Sequence, residues 1–290
     1  VKGSSFLESL SKTDTVVFDK TGTLTEGRFE VSRVHSVGMA EDELLETAAQ
    51  AESVSNHPIS KSIIEAHTSG FDASTVESAE EIPGKGVRAV VRGRTVHVGN
   101  HRLMNDIGAE YCHEEVAGTN VHVAVDGRYM GHIVVSDVVK SDAAEAVATL
   151  KAIGVRRTVM LSGDSARICT DVGGRLGIDD IRYELLPADK TEALERVMED
   201  TPENRTVAYV GDGINDAPSL ARADVGIAMG GLGSDAAIEA ADVVIMDDAP
   251  SKIPTCIDLS KRVNRIVMQN IVFALAVKFG LLALTLFGFT

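Results

Sequence analysis

The 290-residue sequence is short of several things, and each shortage closes off a class of protein. It has three cysteines, Cys112, Cys169 and Cys256, far apart and without a CxxC pair. They build neither a disulfide framework nor a thiolate zinc site by themselves, and they suit a reducing compartment. Basic side chains are outnumbered, 28 against 43 acidic, for a formal net charge of −15. A surface that negative repels a phosphate backbone at long range, which argues against nucleic acid as a partner. It does not exclude a small anion such as a nucleotide, because loops and metal ions reverse the field locally. No charged-then-apolar leader opens the chain, so no signal peptide is expected, and there is no low-complexity tract.

What is present is an ordinary globular balance, 44% hydrophobic and 24% charged, with enough chain for one large domain or two modest ones. The last stretch, from Ile266 to Thr290, is apolar and long enough to cross a bilayer. Lys261, Arg262 and Arg265 precede it, and the excess of positive charge predicts a cytoplasmic location for everything before the span. A buried core helix is the competing reading. Lys278 falls in the middle of the run, where a charge is costly unless it faces protein, water or an interface. Both ends of the chain are expected to continue in something longer.

Three short β-branched or apolar runs, Thr15–Asp19, Arg157–Leu161 and Thr206–Val210, each lead into a loop that carries carboxylates or hydroxyls. Helical periodicity separates them over Asp142–Ile153, Ala166–Leu176 and Lys190–Asp200. That alternation predicts an α/β fold with a doubly wound parallel sheet, whose strand-end loops share one crevice. Residues 34–128 break the pattern, with a helix over Glu41–Glu52, a second after Pro58, and then β-rich segments with hairpin corners at Val91-Arg-Gly-Arg and Val125-Asp-Gly-Arg. They are expected to form an inserted α+β domain, dividing the chain as 1–33, 34–128, 129–265 and a membrane helix over 266–290.

The loops after the strands hold the candidate chemistry. Asp19 is an ionisable oxygen nucleophile able to attack phosphorus. Thr21, Gly22 and Thr23 offer hydroxyls and backbone N–H groups for a phosphoryl oxygen. Two like charges approach only with a cation between them, so Mg²⁺ is implied, and Asp212 and Asp216 supply hard oxygen ligands for it. Ser162 can hydrogen-bond the phosphoryl group and Lys190 can neutralise it. Each element alone is an ordinary turn in most proteins.

Together, Asp19-Lys-Thr-Gly-Thr-Leu-Thr25 and Gly211-Asp-Gly-Ile-Asn-Asp216 are similar to the signatures of P-type cation-transporting ATPases, within the haloacid-dehalogenase-like superfamily. The resemblance implies that Asp19 becomes an aspartyl-phosphate, with Lys20, Thr21, Ser162, Gly163, Asp164, Lys190 and Asn215 around the reaction. It implies Mg²⁺ on Asp19, the Thr21 carbonyl and Asp212, with Asp216 nearby. Ser162-Gly-Asp164 has serine where threonine is usual, and the hydroxyl is retained. Asp137-x-x-Lys140 resembles a nucleotide-proximal element in which arginine is common. In the insert, Glu52 and His57-Pro58 resemble the His-Pro motif of heavy-metal ATPases, Gly84-Lys-Gly86 their glycine pair, and Gly99-Asn100 a third ATP contact. His57 also reads as a plain helix cap, and the glycines as a plain bend. The segment Asn270–Lys278 resembles the zinc/cadmium/lead-exporting subgroup. The implied function is the catalytic portion of an ATP-driven heavy-metal export pump, an integral membrane protein with Lys278 on the transport path. A copper exporter and a soluble phosphatase of the same superfamily are the alternatives.

Overall fold

The computed structural model describes residues 1–68, 70, 72–112, 116–212, 216–230 and 235–286. Asn215, expected at the catalytic site, lies outside them. In chain order the first elements are α1 (Ser4–Ser11), β1 (Thr13–Asp19), β2 (Thr25–Ser36), α2 (Glu41–Glu52), α3 (Pro58–Ala66), β3 (Val76–Ile82), β4 (Gly86–Val91), β5 (Arg94–Gly99) and α4 (His101–Asp106). Then come β6 (Thr119–Val125), β7 (Arg128–Val139), α5 (Ala143–Ala152), β8 (Arg157–Leu161), α6 (Ala166–Leu176) and β9 (Asp180–Arg182). The remainder are α7 (Pro187–Glu199), β10 (Thr206–Gly211), α8 (Ala217–Arg222), β11 (Val225–Met229), α9 (Asp235–Ala240), β12 (Val243–Ile245) and α10 (Lys252–Leu286).

The chain forms two compact units, one of residues 1–25 and 139–290, the other of residues 26–138. The expected boundaries, 33/34 and 128/129, fall inside β2 and at the start of β7. The physical reason for the shift is that these two 12-residue strands belong along almost their whole length to the sheet of the insert.

In the first unit the sheet order is β12-β11-β10-β1-β8-β9, parallel at every pairing. All seven residues of β1 are buried, as a central parallel strand covered on both faces requires. Side chains alternate between two cores. Val16, Phe18, Met160, Val210 and Ile227 pack with Leu10, Val147, Leu150, Val172 and Ile257, so α1, α5, α6 and the start of α10 cover one face. Val17, Val159, Leu161, Val207 and Tyr209 pack with Leu194, Val197, Leu220 and Ala237 of α7, α8 and α9 on the other. The chain steps outward from β1 to β8 and β9, then returns to build β10 to β12 on the opposite side. Strand order therefore reverses between β1 and β10, the place where open α/β sheets form their crevice.

In the second unit six strands run in the order β2-β7-β6-β5-β4-β3, antiparallel from β7 through β3. Leu44, Ala48 and Ile63 from α2 and α3 cover Val96, Val98, Val123 and Ile133 on one face, and Leu103 and Met104 from α4 cover Ala124 on the other. The two expected hairpin corners have both central residues at positive φ, Arg92 and Gly93 at 51° and 76°, Asp126 and Gly127 at 51° and 77°. That is the turn geometry whose twist matches the flanking strands.

The apolar C-terminal stretch does not begin a helix of its own. It continues α10, whose first turns bury Ile253 and Ile257 in the core of the first unit. The helix from Lys252 to Ala283 is long enough to cross a membrane, and its most apolar 18-residue window has mean hydropathy 1.9. Ile266, Val267, Ile271, Phe273 and Phe279 are exposed along it, as is Lys278.

Candidate active site

Parallel registry places the predicted strand-end loops side by side. Asp19 is level with Leu161 of β8, so Ser162 follows in the adjacent strand, while Phe18 is level with Val210 of β10, so Gly211 and Asp212 flank the other side. Asp19, Asp212 and Asp216 present carboxylate oxygens that all lie within 4.8 Å of one another. Lys190, in the first turn of α7, donates from Nζ to Asp19 Oδ1 at 2.5 Å and lies 3.6 Å from Asp216 Oδ1. The Tyr209 hydroxyl donates to the same Asp216 oxygen at 3.0 Å. Asp216 therefore orients the lysine and is itself anchored from the strand beneath it.

The turn after β1 is shaped around this cluster. Gly22 has φ 73° and ψ −14°, and a Cβ there would stand 1.7 Å from Asp212 Oδ2. Only glycine fits both the left-handed backbone and the carboxylate pressed against it. Thr25 closes the turn, accepting from the Gly22 N–H at 3.3 Å and donating to the Lys20 carbonyl at 3.0 Å. Lys20 is buried and pairs with another acid. Its Nζ lies 2.8 Å from Asp164 Oδ2, and the Asp164 N–H donates to Ser162 Oγ at 3.2 Å, so the 162–164 loop is tied to the acceptor turn through a buried lysine. At Gly163 an added Cβ would stand 3.1 Å from the Leu185 carbonyl, so this loop too is closely packed.

The electrostatics follow from crowding acids in a dry crevice. Burial, then the charge of Asp216, push the Asp19 carboxyl up to about 7 in spite of Lys190. Asp212 rises to about 6, again by burial first and Asp216 second, with Lys140 opposing. Burial alone would depress the Lys190 ammonium, but Asp19 and Asp216 override it and its pKa is raised. Acids that hold protons near neutrality for want of a countercharge, with only oxygen donors on offer, fit a hard divalent cation such as Mg²⁺. The arrangement can present a carboxylate nucleophile beside a fixed ammonium and a dication, which is what attack on a phosphoryl group demands.

The second unit carries the other predicted residues. Glu52, 5% exposed at the end of α2, accepts from Ser60 Oγ at 2.6 Å, and burial raises its carboxyl to about 7, with the charge of Glu81 adding to that and the Ser60 bond opposing. His57 caps α3, its Nδ1 accepting from the Ile59 N–H at 3.2 Å ahead of Pro58. Its capping role is real, and it leaves Nε2 as the nitrogen for any ligand. Gly84, with φ 69°, and Gly86 turn the chain into β4, and an added Cβ at Gly86 would stand 2.1 Å from the Val98 carbonyl. Gly99 is paired opposite Gly86 and approaches the Lys85 carbonyl equally closely. Asn100 Nδ2 donates to the Gly84 carbonyl at 2.9 Å while its Oδ1 caps α4. Gly84, Gly86, Gly99 and Asn100 thus form one assembly, and Glu52 and His57 a second along α2 and α3. Sequence reasoning missed Tyr209, which reads as one more apolar strand residue, and set Lys140 beside the nucleotide. In the structure Lys140 lies against the acceptor turn, its Nζ donating to the Gly22 carbonyl at 2.9 Å.

Comparison with known proteins agrees with this geometry. Residues 13–224 match the family model of the haloacid dehalogenase-like hydrolases. The chain is 51% identical to a zinc-transporting ATPase of Synechocystis sp. over 99% of its own length and 40% of the relative's. It is 50% identical to a cadmium, zinc and cobalt-transporting ATPase of Bacillus subtilis over 99% of its length and 41% of the relative's. It therefore spans about two-fifths of these curated relatives. A crystal structure of a zinc-transporting PIB-type ATPase in its E2.Pi state superposes with TM-score 0.87 at 35% identity, covering 100% of this chain and 48% of that one. The catalytic domain of the CPx-ATPase CopB superposes with TM-score 0.71 at 29% identity, covering 89% and 94%.

Proposed function

The chain belongs to the haloacid dehalogenase-like hydrolases and, within them, to the heavy-metal P-type ATPases, and from that premise we propose that it is the catalytic part of an ATP-driven export pump for zinc-like divalent cations. The observation that carries the reading is the cluster at the strand ends, with Asp19 bonded to Lys190 at 2.5 Å and one carboxylate oxygen from each of Asp19, Asp212 and Asp216 within 4.8 Å of the others.

In this reading the second unit binds the adenine nucleotide. Glu52 accepts from the exocyclic amine, His57 stacks on or bonds to the ring, and the tight backbone at Gly84, Gly86 and Gly99 lets the nucleotide come close. Asp19 attacks the γ-phosphorus, an acyl-phosphate bond forms, and ADP leaves with the electron pair of the broken P–O bond. Lys190 holds the attacking carboxylate and meets the phosphoryl charge, and Ser162 and the N–H groups of the acceptor turn bond its oxygens. Asp19, the Thr21 carbonyl, Asp212 and Asp216 would hold Mg²⁺, which when bound screens the repulsion between the carboxylate and the phosphoryl oxygens. Water then hydrolyses the acyl phosphate.

The charged residues Lys261, Arg262 and Arg265 ahead of the apolar stretch of α10 support a membrane protein whose catalytic units are cytoplasmic. Lys278 within that stretch supplies a fixed positive charge on the transport path, able to help expel a divalent cation. The 51% and 50% identities to a zinc-transporting and to a cadmium, zinc and cobalt-transporting ATPase support a zinc-like cargo.

The decisive experiment is Asp19→Asn in the full-length protein. The variant is expected to bind ATP and to form no acid-stable phosphoenzyme from radiolabelled ATP. Label persisting in it would overturn the reading.

A further inference from the structure

Lys140 directly follows β7 and is 7% exposed, yet it carries a full charge into the interior. Its ammonium has an acceptor for each hydrogen. It donates to the Gly22 carbonyl at 2.9 Å and to the Asp248 carbonyl at 3.2 Å, and it lies 2.9 Å from Asp248 Oδ1. Its own N–H donates to the Leu24 carbonyl at 3.0 Å. One residue thus grips the acceptor turn at two carbonyls and ties it to the segment just before α10.

Stability alone is a poor account of this arrangement. Burying an ammonium costs several kcal/mol, and replacing such an ion pair by apolar side chains is often neutral or favourable. The arrangement makes sense for what lies on the far side of Gly22. The Cα of Gly22 presses so closely on Asp212 that a Cβ would overlap Oδ2. The Gly22 peptide is therefore held between the Asp212 carboxylate and the Lys140 ammonium, and where Lys140 holds the carbonyl decides where the carboxylate rests. Asp248 in turn fixes the lysine. It sits at φ 52°, a strained backbone for a residue with a side chain, and both its carbonyl and its carboxylate face Lys140. The neighbouring Ser251 N–H donates to Asp142 Oδ2 at 2.9 Å, which anchors the same segment to the start of α5.

We propose that Lys140, oriented by Asp248, is a positioning residue that sets the Asp212 carboxylate for the divalent cation by clamping the Gly22 peptide. The inference rests on the phosphoryl-transfer reading above. It assigns Lys140 to the acceptor turn and the metal rather than to the nucleotide, and it gives the few residues before α10 a role in the metal site.

The test uses the full-length protein with Lys140→Met, Lys140→Arg and Asp248→Asn, each checked for its fold by circular dichroism. Two quantities are read: Mn²⁺ affinity by electron paramagnetic resonance without nucleotide, and the Mg²⁺ concentration that half-saturates phosphoenzyme formation. Lys140→Met is expected to weaken both about tenfold or more while ATP affinity stays within about twofold. Lys140→Arg, which keeps the cation and its donors, restores both to within about threefold, and Asp248→Asn falls between. Unchanged metal dependence in Lys140→Met overturns the proposal, as does an equal loss in Lys140→Arg or a loss confined to ATP affinity. If Lys140→Met fails to fold, the Asp248→Asn and Lys140→Arg values decide by the same criteria. A wild-type protein that binds Mn²⁺ and ATP but forms no phosphoenzyme would overturn the phosphoryl-transfer reading, while the Mn²⁺ series still decides the role of Lys140.

Discussion

Replacing Glu52 by glutamine should make the second unit more stable, and by an amount that depends on pH. Glu52 is 5% exposed, and burial lifts its carboxyl from the ordinary 4.5 to about 7. A carboxyl whose folded pKa is raised binds more protons folded than unfolded across the interval between the two values. Its stability contribution is full below about pH 4.5, declines as pH rises, and is gone above about pH 7. A displacement of roughly 2.5 pH units at about 1.36 kcal/mol each corresponds to ~3 kcal/mol across that window. Glutamine has the same shape, keeps a carbonyl for the 2.6 Å bond from Ser60 and has no proton to lose. The stability difference, variant minus wild type, should therefore grow by ~3 kcal/mol between about pH 4.5 and about pH 8. Amide-exchange protection of β5 and β6, corrected for the intrinsic pH dependence of exchange, measures it. Parallel pH profiles for the two proteins would refute the claim that a buried, proton-holding acid sits at the end of α2.

Two other perturbations probe the first unit. Gly22→Ala places a methyl group 1.7 Å from an Asp212 oxygen at a residue with φ 73°, so phosphoenzyme should fall by about a hundredfold or more, with ATP affinity unaltered. A radiolabelling assay at saturating ATP checks this. Second, Asp19 and Asp212, raised to about 7 and about 6, must ionise to take a dication, so Mg²⁺ binding should release up to two protons per ion near pH 5 and none above about pH 8. Affinity accordingly falls as pH drops through 7 and then 6. Calorimetry in buffers of different ionisation enthalpy counts the protons, and a release that does not vary with pH would contradict the assignment.

What the sequence disclosed and what it hid divide along a physical line. The strand-end site was legible because its parts are local, each a short apolar run ending in a polar loop, and parallel pairing brings such ends together without further instruction. The hairpin corners were legible because Arg92-Gly93 and Asp126-Gly127 are short turns between alternating strands. Non-local partnerships were not. Tyr209 in an otherwise apolar run gives no sign that its hydroxyl holds Asp216. Lys140, read within a segment that resembles a nucleotide-proximal element, gives no sign in the sequence that the turn at residue 22 and the segment at residue 248 close over it. The unit boundaries were displaced because β2 and β7 carry on as strands past the point where composition changes, and strand pairing, not composition, decides which sheet owns them. The long apolar stretch was legible from its composition, but the helix that contains it starts at Lys252, since a helix propagates through polar and apolar residues alike once its first turns are packed.

The charges around Asp19 also account for three lysines of this unit, Lys20 and Lys140 buried and Lys190 half-buried. Lys20 pairs with Asp164, Lys190 with Asp19 and Asp216, and Lys140 with Asp248, while Asp212 has no ammonium partner of its own among these contacts. Five carboxylates facing three ammonium groups leave two negative charges, the charge a magnesium ion would balance. With no dication to supply the balance, the deficit must be met by protons, and the two acids raised furthest toward neutrality in this crevice are Asp19 and Asp212. Adding a fourth lysine would relieve the repulsion and stabilise the empty fold, but it would remove the electrostatic reason for a cation to bind. The crevice is therefore kept short of positive charge, at a cost in stability met by the two apolar cores on either side of the sheet. On this argument, a substitution that brings a new cation next to Asp212 should raise the stability of the unit and lower its affinity for Mg²⁺ together, because both effects draw on the same two unbalanced charges.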